Sequence, residues 1–353
     1  MKEKKGLGEI GRREERREGR ERRRIVMMMM VVMMVMGCNS GGVKDAEKVF
    51  LSEMVNLGKG FLDVFVSFGD MVEGTLGIKA ETKKSEIGVY FTKISETMKT
   101  TKAKLNKVLE DNGDYEKVKE KVVKFIEKLG IIEEGSKIVA SGTIGEDKLS
   151  AASDSGQDAV PADINAVNSI FKGIKSIVEI VLKGKGNANA TKTKDVQHKD
   201  IGKLFEKQAS ATETEAAAAI ASIGAVSGAD MLQAIANSEE AKANVEINAV
   251  SNAAELAVAK NNSATKTLDA LVNKDAVIAA GIALRAMAKD GKFAANNDAK
   301  HANAVNGAAA SAVGKVLSTL TIEIRNTVDL GLKGINEILG EIKQGEISEA
   351  KSN

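Results

Sequence analysis

The sequence predicts an all-α fold, and three observations carry that prediction. The 353-residue chain contains a single proline, Pro161, so helices are almost nowhere broken by a missing amide. Ala, Lys, Glu, Leu, Ile and Val dominate and aromatic residues make up only 3%, so the core is aliphatic and Ala-rich on helix-favouring backbone. Apolar residues also recur at alternating intervals of three and four over long stretches, which aligns them on one helix face.

The chain opens differently. Residues 1–37 hold eleven Lys/Arg and six Asp/Glu, leaving 40 and 43 for the remainder, which is therefore close to neutral. A near-neutral body argues against nucleic acid as a partner. Eight arginines precede residue 25, and only Arg285 and Arg325 follow, a switch that marks a targeting segment. The apolar run Ile25–Met36 is too short for the ~20 residues that span a bilayer, but it fits a signal-peptide core. It ends at Gly37 and Cys38, the only cysteine, which excludes an internal disulfide. Small Gly37 suits a signal-peptidase cut, and Asn39–Gly42 forms a flexible tether. A core thiol would not sit at such a boundary. We therefore expect cleavage between Gly37 and Cys38, then acylation of Cys38, since stable lipid anchoring takes more than one chain. The expected division is 1–37 signal peptide, 38–43 tether and 44–353 one helical domain.

Along the mature chain, Phe50, Met54, Leu57, Phe61, Val64, Phe68 and Met71 form a heptad seam. A helix over Lys83–Glu110 buries Ile87, Phe91, Ile94, Met98, Leu105 and Leu109, and DNGD at 111–114 signals a turn. The next helix, near Tyr115–Leu129, turns Val118, Val122, Phe125 and Leu129 inward. Residues 141–162, polar and rich in Gly and Ser, read as an exposed loop. Ile164, Val167, Phe171, Ile174, Val178 and Val181 restore helical spacing, and 184–195 reads as a loop. From Ser210 to Asn306, short Ala-rich helices alternate with polar connectors. Among them, 274–294 is apolar almost without break from Ala276 to Ala288 and so reads as enclosed on most sides. Asp275 near its start and Lys289 near its end suit the helix dipole, and Asp290-Gly291 suits its stop. The last helix, about Ala308–Lys343, carries Leu317, Ile324, Val328, Ile335, Ile338 and Ile342 on a heptad, with Thr321 and Gly331 between. First and last seams match, so the expected architecture is an elongated helical bundle. Its first and last long helices pair near the membrane, and the loop-rich, Ala-rich region lies distal.

No catalytic residues, metal ligands or cofactors are assigned. His198 and His301 lie in polar stretches with no ligand at metal spacing. AVNGAAASAVGKV at 304–316 spaces Gly307 and Gly314 too far apart for a phosphate loop, and Val316 replaces the required hydroxyl residue. The adjacent acids Glu133-Glu134 and Glu239-Glu240 read as solvated, diverging around a helix. The lysine faces (Lys99, Lys102, Lys104, Lys107; Lys117, Lys119, Lys121, Lys124) read as solvated helix surface or as a host-ligand patch.

The stretches GCNSGG at 37–42, 81–122, 172–188, 274–294 and 306–328 resemble the variable large protein (Vlp) family, surface lipoproteins of relapsing-fever Borrelia. That family is related to the Vmp-like surface lipoprotein of Lyme Borrelia. The resemblance implies a lipid-anchored, cell-surface, helical protein of the outer membrane whose role is antigenic variation against host antibody. It carries over one functional residue, Cys38, and implies that 274–294 is the family's buried invariant region. The long Arg/Glu-rich start departs from the pattern. The partners so implied are outer-membrane lipid and host antibodies, with a host ligand and a homo-oligomer left open. A competing reading is an adhesin binding host protein or glycan through the lysine faces. A third, a periplasmic enzyme tethered to the inner membrane, is poorly supported: no active-site motif is found, and Asn39 stands where a retention Asp would follow the cysteine.

Overall fold

A computed structural model of the chain describes residues 77–111, 116–193, 196–207, 212–260, 267–271 and 274–351. The expected seam Phe50–Met71, its pairing with the last helix, and most of the 111–114 turn lie outside them. The described residues belong to one compact unit, Glu53–Asn353. They are helical, and the only β-type pairing among them is isolated bridges.

The helices are α1 (Lys84–Asp111), α2 (Glu116–Gly142), α3 (Ile164–Val181), α4 (Glu213–Ala225), α5 (Gly228–Ala236), α6 (Ala253–Val258), α7 (Asp275–Met287) and α8 (Ala299–Lys351). A ten-residue 3₁₀ stretch, Val196–Phe205, precedes α4. Starts are set locally. Asp163 accepts the Ala166 amide at 2.8 Å, and Asn252 accepts the Glu255 amide at 3.0 Å. Thr212 with Glu215 and Ser227 with Asp230 form capping boxes on α4 and α5.

Helix α2 packs chiefly on α1 and α3. Its length departs from expectation, because it continues past Leu129 to Gly142. Gly135 and Gly142 serve close approach to α3. A Cβ on Gly173 would lie 2.4 Å from the Gly135 carbonyl, and one on Gly142 would lie 2.4 Å from the Ala166 carbonyl. Helix α8 likewise starts earlier than the heptad indicated, at Ala299, because Ala302, Val305 and Ala308 are buried under the Ala-rich region. It packs against α2, α3, α4, α5 and α7. The two weak seam positions have partners: Thr321 hydrogen-bonds Tyr90, and Gly331 leaves room for the Phe125 ring.

The segment 141–162, expected as an exposed loop, is one only in part: its first two residues end α2 and residues 144–148 face solvent. Leu149, Ser150 and Ala162 are buried. Gln157 pairs with Ala295 and Val160 with Lys292, backbone to backbone, at 2.7–3.1 Å. Backbone amides that the polar sequence appeared to give to water are therefore paired with the chain beyond α7.

Candidate functional site

The residues assigned a function from sequence, Gly37 and Cys38, lie outside the described residues. Within them, buried polar chemistry gathers at the two ends of α7. Every residue of this helix is buried, as its continuous apolar run required. It packs on α4, α5, α6 and α8, and so has no solvent face.

At its start, Asp275 does more than suit the dipole. One carboxylate oxygen accepts the amides of Lys192 (2.7 Å) and Thr193 (2.9 Å), and the other accepts the hydroxyls of Thr193 and Ser222, both at 2.8 Å. Burial opposes the charge of Asp275, but the Thr193 and Lys192 amides and the two hydroxyls outweigh it and hold the carboxyl below its usual range. His198 Nδ1 lies 2.9 Å from Ser222, 3.0 Å from Thr193 and 3.5 Å from Asp275. A Ser, His and Asp in contact invite comparison with a nucleophilic triad. The geometry does not fit one. There the serine and the carboxylate engage opposite imidazole nitrogens, whereas here both crowd Nδ1 and Ser222 donates to Asp275 itself. With Ser222 fully buried, the group is a clasp tying Thr193, His198 and α4 to α7.

The other end holds two buried cations. The Arg285 guanidinium lies over the Phe205 ring at 4.9 Å and the Phe293 ring at 5.8 Å. It donates to the carbonyls of Lys292 (3.0 Å), Ala259 (3.1 Å) and Ala257 (3.4 Å). Lys84 sends its ammonium to the carbonyls of Leu149 (3.2 Å), Arg285 (3.3 Å) and Ala286. It thus satisfies α7 carbonyls that have no partner inside the helix. Burial pushes Lys84 down to about 7 and Arg285 down to about 9. Lys315, the lysine of the phosphate-loop look-alike, does the same for α4. It donates to Ile223 (2.7 Å) and Val226 (2.6 Å), so that segment is packing helix and no ligand cradle.

The other sequence candidates sort as follows. Glu133 and Glu134 do diverge, but Glu133 is buried and bridges Lys102 (2.9 Å) and Lys137 (2.7 Å), while Glu134 is exposed. Glu239 and Glu240 are exposed, in a connector and not on a helix. Lys102 is held by Glu133, whereas Lys99, Lys107, Lys119, Lys121 and Lys124 face solvent. His198 and His301 are both buried despite their polar sequence surroundings. No group of three metal-binding side chains occurs among the described residues.

Sequence reasoning missed the pairing of Lys84 with Arg285. A charge inside an apolar run, and one of only two arginines after residue 24, was the available signal for Arg285. For Lys84 no signal existed, since its partners are carbonyls 65 to 202 residues away.

The fold defines the class: an all-α bacterial surface antigen. It matches the crystal structure of the Lyme disease variable surface antigen VlsE of Borrelia burgdorferi with a TM-score of 0.68 and 32% identity, over 82% of this chain and 98% of that one. The chain belongs to the Borrelia lipoprotein family, whose model matches residues 61–339. Variable large protein 4 of Borrelia hermsii is 53% identical over 328 residues, 90% of this chain and 93% of the relative. Variable large protein 17 of the same organism is 51% identical over 327 residues, 90% and 92%. The resemblance stated from sequence therefore holds. The chain is an outer-surface lipoprotein with the role of that group, a variable surface antigen.

Proposed function

We propose that this antigen is held in the outer membrane through acylated Cys38, after cleavage behind Gly37, and acts without catalysing a reaction. In this reading 1–37 is removed, 38–43 is the tether and 44–353 is one helical domain. Its partners are membrane lipid and host antibody. The observation that carries the reading is the lone cysteine between a short apolar run and a Gly/Ser tether, in a chain of a lipoprotein family. Two chemistries support the absence of catalysis: the Ser222–His198–Asp275 group is closed, and Lys84 and Lys315 are committed to carbonyls. Antibody on the folded chain must use segments other than α7, which is enclosed.

Metabolic labelling with palmitate tests the anchor. Label in the wild type and none in Cys38→Ala is the expected result, and label retained in the variant overturns it. Protease added to intact cells should remove the protein. Serum raised against it should fail on siblings that differ in the Ala/Asn/Ser-rich blocks, and full cross-reaction on intact cells would count against antigenic variation.

A second reading, an adhesin for host protein or glycan, draws on the exposed Lys107, Lys121 and Lys124. Changing these three to Glu separates the two. Lost binding to host cells favours the adhesin, and unchanged binding leaves the antigen alone.

A further inference from the structure

His301 lies in the first turn of α8, and its ring is fully buried. The Asn296 amide donates to its Nδ1 at 3.0 Å. An imidazole nitrogen that accepts carries no proton, so the proton sits on Nε2. Nε2 is buried and has no hydrogen-bond partner among the described residues. The ring therefore has one state that fits. A second proton would have to enter at Nδ1, where it meets the Asn296 N–H head-on. The charge would be enclosed at the positive end of a long helix dipole.

The charged groups facing the ring are Glu215 and Glu213 on α4 and Asp298 just ahead of α8. Glu215 is already paired with Lys203 at 2.8 Å and bonded to Thr212. Asp298 accepts the Lys300 amide at 2.8 Å. Burial lowers the proton affinity of His301, and these three acids do not restore it, so the net shift is down from 6.5.

We propose that the junction 296–301 between α7 and α8 is an acid-sensitive latch, with His301 as the sensing side chain. A solvent proton added at Nδ1 removes the acceptor of the Asn296 amide, which then turns to water with the first turn of α8. The neighbouring segment 292–295 stays fixed, because its backbone is bonded to Gln157, Val160, Ser150 and Leu204. A group whose folded affinity for protons is depressed stabilises the fold fully above its unfolded value. That contribution is lost as pH falls below about 6.5 toward the folded value. The latch is closed at neutral pH and opens in acid.

Amide hydrogen exchange on the full chain tests this, at about pH 7.5 and about pH 5, corrected for the intrinsic rate. Protection at 296–302 should fall on the order of tenfold in acid, with 292–295 unchanged. In His301→Asn the side-chain oxygen still accepts the Asn296 amide and cannot titrate, so protection there should be independent of pH. No loss in the wild type, or an equal loss in the variant, would overturn the proposal, the latter pointing to Glu213, Glu215 or Asp298. Should the variant not fold, imidazole NMR on the wild type decides. The chain has two histidines. His301 must titrate below 6.5 with Nδ1 unprotonated at neutrality, and an ordinary or raised value sinks the latch.

Discussion

Lys84, in the first turn of α1, places its ammonium 3.3 Å from the carbonyl of Arg285, 201 residues away, in the last turn of α7. A side chain from the start of one helix thus caps the end of another. Arg285 in turn reaches the carbonyls of Ala257, Ala259 and Lys292. The enclosed helix is therefore tied through its C-terminus to α1, to the end of α6 and to the chain that follows it.

Lys84→Met should destabilise the fold by about 2–4 kcal/mol, since buried carbonyls lose their donor. Urea unfolding measures it. The pH dependence has a definite sign. Folded Lys84 titrates near 7 and unfolded lysine at 10.5, so the wild type gains stability as pH rises between them. The gap between wild type and Met variant should therefore widen from pH 7 to pH 10, and a constant gap would refute the low pKa.

Asp275→Asn puts an amide where two backbone N–H groups donate, at a cost of about 2–4 kcal/mol at neutral pH. The carboxyl of Asp275 is held below its usual range, so its contribution is present above 3.8 and lost as pH falls through the folded value. The two stability curves should converge in acid. Parallel curves down to the acid transition would show that the Lys192 and Thr193 amides do not hold the charge.

Gly173→Ala drives a methyl to within 2.4 Å of the Gly135 carbonyl. Both are helix backbone, so α2 and α3 must separate, costing about 3 kcal/mol. A thermal melt with an unchanged midpoint would contradict the close approach.

Gly331→Ala meets the Phe125 ring instead, at 2.2 Å. A ring can be replaced. Phe125→Leu in the Gly331→Ala background should recover part of the loss, giving a coupling on the order of 1 kcal/mol in a double-mutant cycle. Simple additivity would mean that the two residues do not share the space.

How far the sequence led depends on the kind of interaction. Helix faces were legible: Ile87, Phe91, Ile94 and Met98, or Val167, Ile174 and Val178, need only a periodicity and a water-averse face. Some helix starts are set by local caps, as at Asp163 and Ser227, which the periodicity alone did not mark. The expected boundaries failed at Leu129 and Ala308, where glycine or alanine continued a helix because a neighbouring helix passes close by. Polar residues misled most. Glu133, His198, His301 and Ser150 look like surface in sequence and are buried.

The sequence by itself determined the helical class, the apolar faces, the enclosure of α7, the expected anchor at Cys38 and the family resemblance. Each of these is written in residue type and short spacing. Only the tertiary structure decided what the buried polar groups do. The Lys84 ammonium, the Asp275 clasp and the His301 contact to Asn296 join a side chain to backbone groups or distant partners. A backbone amide or carbonyl has no letter in the sequence, so a bond to it becomes visible only when folding brings the two together.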